Sequence, residues 1–141
     1  MSATISQVFR NKLLQAYFQK DVFAYDERLY VALTGQVGQA NADGSSLDEP
    51  EVSAYQRAAV PLTSDYWSLT GFGDMFNNSD VAFVGPDPGE DWGQLSGWAL
   101  LDAPDGGMVQ AVGSLVLPTF YTSDMPPIAL PPAGITIRLT D

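Results

Sequence analysis

The residues best suited to chemistry are Asp91 and Asp102, which stand beside Trp92 and Trp98. Two carboxylates flanked by aromatic rings are what a glycosidase uses, one as acid and the other as base or nucleophile. A tryptophan in or beside a strand ordinarily fills a core or an interface, however, and an aspartate at a strand end ordinarily closes a turn, so these residues are assigned no catalytic role. Two oxygen-rich loops have the donors a calcium ion takes: Asn41, Asp43, Asp48, Glu49 and Glu51 in one, Asp87, Glu90 and Asp91 in the other. Neither has the spacing of an EF-hand, and solvated loop carboxylates account for both. The chain has no histidine and no cysteine. That excludes Ser-His-Asp and Cys-His nucleophiles along with the commonest metal ligand. A Ser-Lys arrangement would have to use Lys12 or Lys20, and neither follows a serine at a telling spacing. No glycine-rich phosphate cradle is present. The expectation is a protein without catalytic residues, metal or cofactor.

A chain of 141 residues, 45% of them apolar and only 16% charged, has the size and composition of one globular domain with its own core. The formal charge of −11 disfavours a nucleic-acid partner, because like charges repel. Charge is also unevenly spread. Residues 1–20 hold Arg10, Lys12 and Lys20 and no acid, whereas the remaining 121 residues set three bases against all seventeen acids, a charge of −14. No apolar run approaches the roughly 20 residues of a membrane span. The N-terminus lacks the basic-then-apolar order of a secretion signal, so a soluble protein read from Met1 is expected, with no membrane partner.

The elements that would position these residues centre on a long hairpin over residues 91–117. Alternating apolar residues on both arms flank a turn at Pro104-Asp105-Gly106-Gly107, where the glycines permit positive φ. The alternation puts Leu95, Ala99 and Leu101 on one face and Trp98 and Leu100 on the other. Thr4-Ile5-Ser6-Gln7 has the form of a capping box and predicts a helix over about residues 5–19. Ile5, Val8, Phe9, Leu13, Ala16 and Tyr17 form its apolar stripe, which is expected to be buried along one side. The helix is then either a lid on its own sheet or an arm carrying basic residues to an acidic neighbour. Strands are expected over residues 28–34, 51–62, 81–84 and 134–140. Residues 64–78 read as a packed irregular segment or short strand, and the proline-rich residues 118–132 as an extended rim. The sum is mainly β: an antiparallel β-sandwich or jelly-roll-like barrel with one N-terminal amphipathic helix. Residues 1–20 form the helix or docking arm and residues 21–141 the β-sandwich domain.

Several short runs, in order, carry a resemblance. They are Asn11-Lys12-Leu13-Leu14, Leu29-Tyr30-Val31-Ala32-Leu33, Glu51-Val52-Ser53 leading to Tyr55-Gln56-Arg57-Ala58-Ala59-Val60, and Asn77 or Asn78 before Phe83. Asp91-Trp92-Gly93, Leu101-Asp102-Ala103 with Gly106-Gly107, Leu115, and Gly134-Ile135-Thr136-Ile137 ending in Leu139 and Asp141 complete the set. Together the chain resembles the small tailed-bacteriophage virion proteins known as tail fibre or head decoration (cement) proteins. The resemblance spans nearly the whole chain. The proline-rich run ending at Pro132 departs from it, replacing a plainer Gly-Asp turn.

The resemblance implies a non-enzymatic virion structural protein, made in the host bacterial cytoplasm, whose partners are other phage structural proteins of the capsid or tail. A single domain without a shaft-forming repeat favours a decoration protein on the outside of the capsid. The alternative is a tail-fibre or tail-attached component, including a carbohydrate-binding receptor-recognition module in which Tyr66, Trp67 and Trp92 stack on sugars. Closed symmetry makes a homo-oligomer, a dimer or trimer, the default. Trp67, Trp98 and Tyr121, on strand faces or rims, are the interface candidates by aromatic enrichment, and Arg10, Lys12 and Lys20 by charge complementarity, a place in the chain's own core or solvated surface being at least as well supported for each.

Overall fold

The computed structural model describes residues 3–20, 28–52, 54–85 and 88–139. Among them the order is β1 (Thr4–Ile5), α1 (Gln7–Phe18), β2 (Arg28–Thr34), a 3-10 turn (Gly44–Ser46), β3 (Ala58–Pro61), β4 (Trp67–Leu69), β5 (Asp74–Asn77), β6 (Val81–Ala82), β7 (Gly93–Leu101), β8 (Val109–Tyr121), β9 (Ala129–Leu130) and β10 (Thr136–Arg138). The expected mainly-β, antiparallel fold with one helix near the N-terminus is what forms. The central hairpin is β7–β8, and its turn uses positive φ at both Gly106 (61°) and Gly107 (75°).

The large sheet runs β1-β8-β7-β2-β3, every pair antiparallel. Its middle strands are apolar on both faces, which is why Val31-Ala32-Leu33 and Ala99-Leu100-Leu101 read as continuous apolar runs. On one face Val31, Leu33, Leu95, Trp98 and Leu100 pack with Val81, Leu130 and Ile137 from the small sheets β10-β5-β4 and β6-β9, and with Phe83 and Ile135 beside them, giving a sandwich-like core. On the other, Ala32, Ala99, Leu101, Val109 and Val112 are covered by Ala40 and Leu47 of the β2–β3 connection.

Two register breaks correct the simple alternation. Leu95 pairs with Thr119 but Gly97 with Ser114, so the single residue Ser96 of β7 faces the four residues 115–118 of β8 and the chain bulges outward there. The alternation restarts at this point, and Leu95 joins Trp98 and Leu100 instead of Ala99 and Leu101. The second break, between Leu100 and Leu101, leaves Gln110 as an extra residue, its amide donating to the Met108 carbonyl. Pro118 falls within the exposed bulge, where its missing N–H removes nothing from the ladder.

Other boundaries also differ. The strand expected over 51–62 is only Ala58–Pro61; Tyr55 and Arg57 lie before it and use their side chains to tie loops together. Residues 64–78 form a β4–β5 hairpin with positive φ at Gly73 (88°). β8 continues through Pro118 to Tyr121, so the proline-rich rim begins later than expected. The helix cap is Ser6, whose hydroxyl accepts from the Phe9 N–H at 3.1 Å; Thr4 and Ile5 instead pair with β8. Ser53, Pro86, Asp87, Thr140 and Asp141, on which parts of the expected strands and turn and of the second oxygen-rich loop fall, lie outside the described residues, as do residues 21–27 at the start of the expected sandwich domain.

Candidate functional site

α1 begins tightly held. The Ser6 N–H donates to the Gln110 carbonyl at 2.8 Å, the Gln7 N–H donates to Asn41 Oδ1 at 2.8 Å, and Phe9 packs against the core. Beyond that turn the sequence gives the helix little to hold on to. Leu13 and Tyr17 stand one helical turn apart, as do Leu14 and Phe18, forming two adjacent apolar rows. Both rows face water: no residue of α1 is buried, and Tyr17 and Phe18 are 80% and 75% exposed. Their rings meet edge to face at 5.2 Å. The stripe that the periodicity predicts is therefore present, but only Phe9 of it packs on this chain's core from within the helix. Lys20, at φ 50°, closes the element in the left-handed region.

Beside the first turn lies an apolar groove of about 470 Å³ between α1 and the small sheet, lined by Phe9, Leu62, Trp67, Leu69, Met75 and Ile137 among others. Trp67 is fixed in its wall by its indole N–H, which donates to the Pro61 carbonyl at 2.9 Å. The half-buried rings of Tyr66 and Trp67 lie 5.6 Å apart, and the Tyr66 hydroxyl donates to the Asp80 carbonyl. Leu62 and Leu69 on the groove's lips are exposed.

At the β7–β8 turn, Arg57 makes a fixed knot. Its side chain, 3% exposed, pairs with Glu49 at 2.6 Å and donates to the carbonyls of Gly44, Ala103 and Gly106. The Tyr55 hydroxyl donates to Glu49 Oε2 at 2.6 Å and accepts from the Leu33 N–H at 3.0 Å. Burial first, and then the neighbouring Glu49 carboxylate, push the Tyr55 phenol far above its ordinary pKa. The Arg57 guanidinium is raised despite the opposing effect of burial, because the hydrogen bonds and charge of Glu49 favour the cation. Asp43 accepts from the Ser45 N–H and hydroxyl at 2.9 Å, hydrogen bonds that hold its carboxyl below the ordinary range. The carboxylates of Asp43 and Glu49, which have the oxygen donors a calcium ion takes, are thus engaged by the protein itself. Among the described residues no three carboxylates converge as a metal site would require.

A family model described as podophage GP4 fiber I protein gp80 matches residues 4–128. The chain belongs to this fibre family. Comparison with curated proteins gave no match. The fibre-family match covers β1, α1 and every strand through β8 and stops just before β9, so the last two strands lie outside it. A fibre-family chain is a bacteriophage virion structural protein, which associates with other components of the particle.

In this fibre-family fold the residues expected to act divide sharply. Trp98 and Tyr121, 2% and 1% exposed, belong to the chain's own core, which corrects their expected placement on a strand face or rim open to a partner. Trp98 lies over Gly113, where a Cβ would come within 2.5 Å of its ring. Tyr121 donates its hydroxyl to the Pro126 carbonyl and packs edge-on to Trp92, which in turn meets Tyr55. Trp92 is 5% exposed, so it cannot offer a sugar a stacking face. Asp91 and Asp102 are not a pair. They flank the two ends of β7, eleven residues apart and so about 36 Å at strand rise, and each accepts a backbone N–H, from Ser123 and Met108. Trp67 does line an open groove. Lys12 and Lys20 lie on or just past the projecting helix, with Arg10 nearer its anchored end.

Sequence reasoning missed the outward apolar residues. Leu14 and Phe18 lay outside the predicted stripe, although their spacing from Leu13 and Tyr17 was visible. Val116, Leu117 and Phe120 are exposed around the β8 bulge, for which Pro118 within an apolar run was the signal.

Proposed function

We propose that this chain is a structural component of a tail-attached fibre and works by holding surfaces together, without enzymatic activity. The observation that carries the reading is the fibre-family match over residues 4–128, which supports tail attachment more directly than the missing shaft repeat supports a capsid-decoration role. Residues 1–20 are the docking arm and residues 21–141 the body. The arm presents Leu14, Tyr17 and Phe18 to a neighbour, with Arg10, Lys12 and Lys20 supplying charge complementary to an acidic surface. The body is made rigid by the Arg57 knot and the double-sided core. The protein is made in the host bacterial cytoplasm and enters the virion during assembly. Immunogold labelling of intact particles with antibody to this chain tests the assignment. Gold on the tail or its fibres is expected; gold spread over the capsid faces would overturn it in favour of decoration.

A further inference from the structure

We propose that the projecting end of α1 docks in the apolar groove beside Trp67 of a second copy of this chain, so that neighbouring copies are joined by exchanged helices. The proposal names the partner of the docking arm and rests on that reading of residues 1–20.

Knob and hole are both present on one chain. The knob is Leu14, Tyr17 and Phe18, three large, exposed apolar side chains on adjacent helical rows, none of them part of the core formed by the described residues. The hole is the 470 Å³ groove with exposed Leu62 and Leu69 on its lips and Trp67 in its wall. The arm cannot fill its own groove. Phe9 already lines that groove, and at 1.5 Å per residue Phe18 lies about 13 Å farther along the same helix axis. Another copy's arm is under no such constraint.

Charge selects the same partner. The arm carries Lys12 and Lys20 and no acid, and neither lysine enters the described ion pairs, Arg57–Glu49 and Arg138–Asp74. The body carries the chain's entire acidic excess, and Asp65, exposed, follows the groove-lining Ser64. Two copies that repel as wholes therefore attract arm to body. The area is adequate. A buried aromatic contributes about 150–250 Å², so four such rings in a reciprocal pair, with the walls they cover, reach the roughly 1,200 Å² of a stable interface. Because knob and hole are different surfaces, exchange closes either as a pair or as a ring.

The cysteine-free chain makes a direct test simple. Chains carrying Gln19→Cys, next to the knob, and chains carrying Leu69→Cys are mixed and mildly oxidised. The expected product is a covalent pair of twice the 15.2 kDa chain mass, at least tenfold more abundant than when Asp105→Cys at the β7–β8 turn replaces Leu69→Cys. Light scattering of the unmodified chain should give a defined oligomer, and the Tyr17→Ser/Phe18→Ser chain should give the monomer mass with an unchanged circular dichroism spectrum. Cross-linking no greater than the control, or an oligomer indifferent to the double substitution, overturns the proposal. Incorporation of the double variant into particles separates the two readings. If self-association fails but the variant is lost from particles, the arm docks on a different virion protein and only the helix exchange falls. If incorporation is also unaffected, the docking-arm reading falls with it.

Discussion

Arg57 shows most clearly what one side chain does here. Its guanidinium ties three separate backbone segments and one carboxylate together, in a place where burial would otherwise disfavour a charge. Removing one partner of such a pair leaves the other buried and unpaired, so Arg57→Ala should cost about 3–5 kcal/mol in urea unfolding. Tyr55→Phe, which deprives the Leu33 N–H of its acceptor, should cost about 1–3 kcal/mol in the same measurement. The fold holds the Tyr55 phenol neutral, with a pKa above its ordinary value of 10.0. That contribution is complete at neutral pH and is lost as pH rises beyond about 10, where the unfolded chain ionises first. In an ultraviolet alkaline titration Tyr55 should ionise only as the chain unfolds. Asp74 behaves in the opposite sense. Its bond to Arg138, 2.7 Å at Oδ2, depresses its carboxyl, so its contribution is present above the ordinary value of 3.8 and disappears as pH falls through the folded value. The urea midpoint of Asp74→Asn should accordingly lose this part of its acid dependence. None of these partners was legible beforehand. Tyr55 and Arg57 stood two apart, which reads as one face of a strand, and only tertiary contacts reveal that the backbone there is a connection.

Among the elements, β2 was legible to the residue and the β7–β8 hairpin in its turn and its turn-proximal arms, because period-two patterning and a Pro-Asp-Gly-Gly turn are local signals. The β8 bulge was not, since nothing local fixes how many residues oppose Leu95 to Gly97. The helix was legible as a helix. Its orientation was not, because an apolar row looks the same whether it meets its own core or another chain. Two consequences are measurable at this scale. Gly113→Ala pushes a Cβ against the Trp98 ring within the paired part of β8, and should lower stability by about 1–3 kcal/mol in thermal or urea unfolding. Tyr17→Ser with Phe18→Ser should leave the monomer's unfolding free energy within about 0.5 kcal/mol of the original for each substitution, since both rings are exposed and neither joins the core of the described residues. A large loss there would mean that the outer half of α1 is part of the domain's own core.

At the scale of the whole molecule, composition excluded more than it identified. Without histidine or cysteine the chain lacks the residues of Ser-His-Asp and Cys-His nucleophiles, and its net charge of −11 disfavours a nucleic-acid partner. The family was legible from the order of short runs, but the location on the particle was not, because loops, rims and exposed rows carry that specificity and their partner is another chain. The core reads the same on a capsid or on a tail. Cryo-electron microscopy of purified particles tests the central claim most directly, by searching the reconstruction for the large antiparallel sheet with α1 projecting from it. The account predicts that density at the tail, with the outer half of α1 enclosed by a neighbouring chain. The same fold seated on the capsid lattice, or α1 pointing freely into solvent, would contradict it.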